Sequence, residues 1–178
     1  AERAALDLSR WRLAFCGAEP IRSETLHRFA EAFRPAGFRL AAFYPCYGMA
    51  ETTLLVTGVK SGQAPPVLHF DARTLDAGTA VETSESAVGA RACVSNGTPE
   101  PAAEVISVNT ENCLPLGEDR VGEIWVRSPS VGQGYWNKPE ITDEIFKAKL
   151  ADGRGPYLRT GDLGFLHRGE VFITGRVK

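Results

Sequence analysis

The pattern of apolar and polar positions in the first fifty residues predicts a strand, a helix and a second strand. Residues 11–16 and 38–46 are mostly apolar, which predicts a short strand in each range. Ser23 is expected to cap the helix between them, and the helix should end near Arg34, before Pro35. One face of this helix is expected to be buried, because apolar residues recur on it at the helical spacing: Leu26, Phe29, Ala30 and Phe33. The short connections predict a βαβ unit whose two strands are parallel.

Two short stretches, each with one carboxylate, follow the predicted parallel strands. Gly17-Ala-Glu-Pro20 follows the first strand, and Tyr47-Gly-Met-Ala-Glu51 follows the second. Loops that bind ligands lie at the carboxyl ends of such strands. The second stretch combines an aromatic ring for a base, a glycine for close approach to a phosphate and a carboxylate for a divalent cation. It therefore predicts a nucleotide corner, with a plain solvated turn as the alternative.

Residues 58–92 lose this regular pattern. Glycine and proline interrupt the segment repeatedly, and a polar run lies within it. Val67 to Phe70 predicts a strand, and Asp71 is expected to cap a short helix that reaches Leu75. We expect the segment to be an excursion from the fold and not an element of its core.

From Gly97 onward the pattern is typical of short strands bounded by glycine, proline and asparagine. The strands are expected at 104–108, 122–127 and 170–174. One helix is predicted from Glu140 to Leu150, with Thr142 or Asp143 as its cap.

The two halves of the chain predict an α/β fold class. Residues 1–100 are expected to form the end of a parallel α/β subdomain, and residues 101–174 a small, distorted β-barrel subdomain. A chain of 178 residues, 43% hydrophobic and 24% charged, is long enough for two small subdomains with a real core.

Composition argues against several classes of partner. The net charge is −2 and no Lys/Arg cluster is longer than a pair, which argues against nucleic acid. No apolar run reaches the roughly 18 residues of a membrane-spanning helix. Cys16, Cys46, Cys93 and Cys113 form no C-x-x-C pair, so metal ligation by cysteine is not expected. A reducing, cytoplasmic setting fits this cysteine pattern best.

Two polar residues in the second half of the chain are further candidates for contact with a sugar or a phosphate. Asp162, on a Thr-Gly step, is placed to accept hydrogen bonds from a ribose diol or to fix its own turn. Arg176 follows the last strand and is a candidate for the same sugar or a phosphate, with an exposed basic tail as the alternative. The glycine- and aromatic-rich stretch 122–139 holds no obvious acid, base or nucleophile, so we expect a structural role for it.

The order of these motifs resembles the adenylate-forming superfamily. The motifs are Tyr-Gly-x-Ala-Glu at 47–51, Gly-Glu-Ile-Trp-Val-Arg at 122–127, Gly-Tyr-Trp-Asn-Lys-Pro at 134–139, Tyr-x-Arg-Thr-Gly-Asp at 157–162 and Gly-Arg-x-Lys at 175–178. The resemblance runs from Gly17 to Lys178. Within the superfamily, the first motif, with Ala50 where most branches carry Thr, and the segment 58–92 are similar to those of fatty acyl-AMP ligases.

The resemblance implies an activity. Such ligases use ATP and Mg²⁺ to convert a fatty acid to an acyl-adenylate and pyrophosphate. The acyl group then passes to the phosphopantetheine thiol of an acyl carrier protein in a polyketide or nonribosomal peptide synthase. Segment 58–92 would be the insertion of these ligases, which restrains a mobile C-terminal domain and disfavours transfer to coenzyme A.

The resemblance also implies roles for residues at the site. Gly17, Ala18 and Glu19 would line the adenine pocket, and Tyr47 would stack on the adenine. Gly48, Met49 and Ala50 would approach the α-phosphate and the acyl carbonyl, and Glu51 would serve catalysis by helping to bind magnesium. Asp162 would hold the ribose hydroxyls with Arg176 nearby, and Lys178 would lie just before the hinge, which starts at 175–178.

Two parts of that superfamily, the phosphate loop and the C-terminal domain, are not in this sequence. We therefore expect the chain to be the back half of the large N-terminal domain and to be inactive alone. Three alternatives stay open: a fatty acyl-CoA synthetase, an amino-acid adenylation domain and a non-catalytic nucleotide-binding homologue.

Overall fold

A computed structural model describes residues 5–177 of the chain. Its first sheet has four strands in the order β1-β2-β3-β6, and these are Ala14–Cys16, Phe43–Met49, Leu54–Gly58 and Thr98–Pro99. The first two strands are parallel, with Cys16 opposite Pro45, and helix α1 (Ser23–Phe33) connects them. The predicted βαβ unit is therefore confirmed. β1 ends at Cys16 beside Pro45, and β2 continues beyond that point to Met49.

The bounds of these elements differ from the predicted ones, and β2 continues through Tyr47 to Met49, residues that were expected in the loop after the strand. The first strand begins at Ala14, and the second begins at Phe43, because Leu40–Ala42 form a 3-10 turn before it. Ser23 is not the cap of α1. Arg22 holds that position with an extended backbone, and no side chain caps the helix. The Arg22 carbonyl already accepts the first helical hydrogen bond, so the helix starts one residue earlier than expected for a serine cap.

The buried face of α1 packs on β2 through a cluster of aromatic rings. Phe29 contacts Phe33, Phe38 and Phe43 with ring centroids 4.6 to 5.6 Å apart, mostly edge to face. Leu26 is buried in the same cluster. The helical spacing of apolar residues therefore identified the correct face.

The second sheet is antiparallel and has the order β10-β9-β8-β7. Its strands are Glu104–Val108 (β7), Gly122–Arg127 (β8), Leu158–His167 (β9) and Glu170–Arg176 (β10). The β-rich second half is thus confirmed. Helix α3 spans Pro139–Phe146, which is shorter than predicted, and its cap is Lys138 rather than Thr142 or Asp143. Proline is favoured in the first helical turn because it lacks an N–H that would be unpaired there.

The segment 58–92 is part of the core, and this corrects the expectation that it lies outside. Within it and just after it, strands β4 (Val67–Asp71) and β5 (Ala90–Val94) form an antiparallel pair, and Asp71 caps helix α2 (Ala72–Asp76) as predicted. Phe70 is fully buried and meets Phe165 and Phe172 edge to face at 5.1 and 5.7 Å. The predicted strand from Val67 to Phe70 is too short for its pattern to show which distant residues Phe70 packs against.

One core cluster joins the two sheets. Tyr47 of β2 and Val56 of β3 pack with apolar residues of the second sheet: Val105, Ile124, Val126 and Val171. This packing brings the carboxyl end of β2 against β9 and β10, which carry Asp162 and Arg176. Within residues 5–177, none of the helices has the length and hydrophobicity needed to cross a membrane.

Candidate nucleotide site

A cavity of about 520 Å³ lies where the carboxyl ends of β1 and β2 meet β9 and β10. Eight of the residues proposed from sequence line it: Ala18, Glu19, Tyr47, Gly48, Met49, Glu51, Asp162 and Arg176. The structure thus brings together residues that are up to 158 positions apart (176 − 18). Gly17 and Ala50 are neighbours of this lining but not part of it, and Lys178 lies outside the described residues.

Asp162 is the centre of a polar cluster in the cavity. The Tyr47 hydroxyl donates to Asp162 Oδ2 at 2.8 Å, and Arg176 Nε lies 3.1 Å from Oδ1. Burial raises the pKa of the Tyr47 phenol, so Tyr47 is a neutral hydrogen-bond donor at physiological pH. The Asp162 side chain is 15% exposed and the Arg176 side chain 75% exposed, so the ion pair opens toward solvent on the arginine side. Each carboxylate oxygen keeps a free lone pair for a further donor, such as a sugar hydroxyl.

The position of Asp162 depends on a buried ion pair that the sequence reading did not identify. Gly161 has a φ of 71°, and its N–H donates to Glu123 Oε1 at 3.2 Å. The Glu123 carboxylate is only 2% exposed and pairs with Arg159, whose Nη2 lies 2.9 Å from Oε2. Asp162 N in turn donates to Thr160 Oγ1 at 3.1 Å. The Thr-Gly step is therefore an irregular point within strand β9 and not a separate turn.

Gly48 allows strands β2 and β3 to approach each other closely. A Cβ at this position would lie 1.5 Å from the carbonyl oxygen of Leu54, so no other residue fits without a shift of β3. The β2–β3 register slips between Tyr47 and Gly48, and Leu54 has a φ of 98°. This bulge turns the chain sharply after β2 and presents Glu51 to the cavity. The predicted approach of Gly48 to a phosphate remains a prediction.

Glu51 is held by a loop that the sequence analysis had assigned to a structural role. The Tyr135 hydroxyl donates to Glu51 Oε1 at 2.6 Å, and Gly132 N–H donates to the Glu51 carbonyl at 2.8 Å. The hydrogen bond to Glu51, together with desolvation, raises the pKa of Tyr135 to about 12. Thr53 Oγ1 also donates to the Ser130 carbonyl, at 2.8 Å. Nothing in the sequence placed residues 130–135 beside Glu51, because the contact spans 84 positions.

Glu51 would be a single carboxylate ligand for a metal ion shared with a nucleotide. Among the described residues no group of three acidic, cysteine or histidine side chains is arranged to hold a metal, so an all-protein metal cage does not form there. Mg²⁺ in phosphate-transfer sites commonly takes only one or two carboxylates and completes its shell with phosphates and water. With Oε1 of Glu51 bound to Tyr135, its Oε2 is the oxygen that would serve such an ion.

Asn96 is a cavity residue that sequence reasoning missed. It is 5% exposed and lies on the connection between β5 and β6. Its side chain links the carbonyl of Cys46 to the N–H of Ile173, so it joins β2 to β10. A single asparagine in a loop has no pattern that distinguishes this role from solvent exposure.

Comparison with known proteins places the chain in a family. A family model described as AMP-binding enzyme matches residues 1–136. The medium-chain-fatty-acid–[acyl-carrier-protein] ligase JamA of Moorena producens is 49% identical over 99% of this chain. The long-chain-fatty-acid–AMP ligase FadD26 of Mycobacterium tuberculosis is 40% identical, also over 99% of the chain. The chain spans 30% and 31% of the lengths of these two relatives.

A solved structure agrees with these relatives. The crystal structure of a fatty acyl-adenylate ligase from Legionella pneumophila, in complex with acyl adenylate and pyrophosphate, superposes with a TM-score of 0.91. It is 47% identical, and the alignment covers 98% of this chain and 30% of that one. The resemblance stated from the sequence motifs is confirmed, and the chain belongs to the AMP-binding enzyme family, with fatty acyl-AMP ligases among its relatives.

Proposed function

We propose that this chain is a part of a fatty acyl-AMP ligase. The whole enzyme would use ATP to convert a fatty acid to an acyl-adenylate and would transfer the acyl group to an acyl carrier protein. The observation that carries the proposal is that Asp162 and Glu51 line the same cavity. The relatives of the chain also include a named acyl-carrier-protein ligase. The relatives are about three times as long as this chain. In our proposal, the remaining parts of the enzyme therefore belong to a longer protein that contains this chain.

The chemistry divides between the two carboxylates. Asp162, held by Tyr47 and Arg176, would accept hydrogen bonds from the ribose hydroxyls and fix the nucleoside. Glu51 would hold Mg²⁺, which neutralises negative charge on the phosphates when it is bound. The protein need not supply a nucleophile in the proposed reaction, because the substrate carboxylate attacks the α-phosphate. Catalysis then depends on positioning and charge stabilisation.

Further parts of the proposal concern organisation. We place a subdomain boundary near residue 100, the ligase insertion at 58–92 and the start of a hinge at 175–178, with Lys178 at its end. Gly17 and Ala50 are assigned to the nucleotide site as neighbours of the cavity lining. The core that joins the two sheets supports close contact across the boundary.

The test is product analysis with the full-length protein. ATP, Mg²⁺ and a medium-chain fatty acid would be supplied with a carrier protein, with coenzyme A, or with neither, and the products identified by mass. We expect acyl-adenylate in all three reactions and acyl transfer only to the carrier protein. Rapid formation of acyl-CoA would identify an acyl-CoA synthetase instead, and no adenylate with any acid would identify a non-catalytic binding protein.

Matched variants connect the products to this cavity. Glu51→Gln removes the charge that would hold Mg²⁺ and is expected to abolish adenylate formation with the fold intact. Glu111→Gln makes the same change at an exposed site and should leave the yield unchanged. Adenylate formation at the normal rate by Glu51→Gln would show that the metal lies elsewhere.

A further inference from the structure

Asn96 is bonded to three strands around the cavity. Its backbone N–H donates to the Val171 carbonyl at 2.8 Å, and its carbonyl accepts from Thr57 Oγ1 at 2.7 Å. Its side-chain Nδ2 donates to the Cys46 carbonyl at 3.3 Å, and its Oδ1 accepts from Ile173 N at 3.2 Å. These four bonds fix both the position of the residue and the plane of its amide.

The two side-chain bonds also fix which way the amide points. The Cys46 carbonyl can only accept a hydrogen bond, and the N–H of Ile173 can only donate one. A flipped amide would therefore place two acceptors together and two donors together. In the observed orientation Asn96 retains one N–H and one oxygen lone pair. Asn96 lines the same cavity as Tyr47, whose ring is the proposed partner of the base.

We propose that Asn96 reads the nucleobase and selects adenine, a proposal that rests on the nucleotide-binding function given above. Adenine has an amino donor at N6 next to a ring acceptor, and an asparagine amide can pair with both at once. Hypoxanthine carries a carbonyl oxygen at the same position, so its acceptor would face the Asn96 oxygen. Because Cys46 and Ile173 prevent the amide from flipping, the site cannot adapt to this reversed polarity.

The expected strength of the preference for adenine follows from the two hydrogen bonds between the Asn96 amide and the base. A good bidentate pair between a side chain and a base gives about 10- to 100-fold discrimination against the wrong base. The full-length protein is therefore expected to bind ATP about 10- to 100-fold more tightly than inosine triphosphate. Asn96→Ala should reduce this ratio to near unity, mainly by weakening ATP binding.

The experiment is calorimetric titration of the full-length protein with ATP and with inosine triphosphate, both with Mg²⁺. Asn96→Asp is a second variant, because it keeps the oxygen that accepts from Ile173 N and replaces the amide N–H donors with a second oxygen. It should weaken ATP binding but keep part of the preference, because the retained oxygen still accepts from N6 of adenine and still opposes the carbonyl of hypoxanthine. Thr57→Val is the matched control: it breaks the hydrogen bond to the Asn96 carbonyl at the same buried junction but changes no group that lines the cavity. It should retain the preference even when its melting temperature falls.

The outcomes separate this proposal from the one on which it rests. If neither nucleotide binds to the unaltered protein, the proposed function fails. If ATP binds without preference over inosine triphosphate, or if Asn96→Ala retains the preference, Asn96 only braces the strands and the base-reading proposal is overturned. Loss of the preference in Thr57→Val would assign it to the shape of the junction, which also overturns direct reading by the amide.

Discussion

Removing the guanidinium of Arg159 tests how the fold holds Asp162 in the cavity. Arg159 makes three contacts of 2.9 to 3.3 Å with the Glu123 carboxylate, which is 2% exposed. Arg159→Met would leave this carboxylate buried without its partner. Breaking a buried ion pair in this way costs about 3–5 kcal/mol of folding free energy. Because the Arg159 side chain is 30% exposed, water can partly replace it, so we expect the lower end, about 3 kcal/mol.

The double variant Arg159→Met with Glu123→Leu makes the test specific. It removes both charges and leaves only the Gly161 N–H without its acceptor, a loss of about 1–3 kcal/mol. The double variant should therefore be more stable than the single variant. The double variant should also bind ATP more weakly than the unaltered protein, because the Gly161 N–H that precedes Asp162 is no longer held by Glu123.

Urea unfolding followed by tryptophan fluorescence measures these differences, since Arg159 lies over the Trp125 ring at 5.7 Å. Arg154→Met is the control: it breaks an ion pair with Asp152 in which both side chains are about half exposed, and it should leave the unfolding midpoint nearly unchanged. A loss below about 1 kcal/mol for Arg159→Met, or a double variant no more stable than the single one, would refute the reasoning.

Two further predictions address the loop over Glu51 and the segment 58–92. Tyr135→Phe removes the hydroxyl that orients the Glu51 carboxylate and should weaken Mg²⁺ binding with nucleotide about tenfold by calorimetry, whereas Tyr157→Phe should not. Unchanged Mg²⁺ affinity would contradict this role. Phe70→Ala should reduce the free energy of unfolding by about 3–5 kcal/mol, and Val88→Ala, at an exposed position of the same segment, should change it by less than about 0.5 kcal/mol. Equal effects of the two would show that the segment does not share the core.

Much of the fold could be predicted from patterns among residues that are close together in the sequence. The helical spacing around Phe29 and the strand patterns at 104–108 and 122–127 were confirmed because each depends on residues only a few positions apart. The boundaries were less accurate. Ser23 and Thr142 are both good capping residues, yet the backbone places the caps at Arg22 and Lys138, where no side chain contributes. Tertiary packing overrides a cap preference, which amounts to about 1 kcal/mol.

The site could be predicted only where residues of a motif lie together in the chain. Glu51 and Asp162 were identified within short motifs, but what supports each of them is distant: Tyr135 for the first, Glu123 for the second. No periodicity or composition connects residues that are 84 or 38 positions apart.

The packing around Phe70 could not be predicted for the same reason, because its contacts are distant in the sequence. The surrounding glycines and prolines indicated an excursion outside the core, while the ring itself is buried against strands almost a hundred residues later. The two predicted carboxylates, Glu51 and Asp162, therefore belong to a larger arrangement whose other members are distant in the sequence. Its supporting residues lie on β8 and on the loop before α3, and changes there should disturb the cavity without altering either motif.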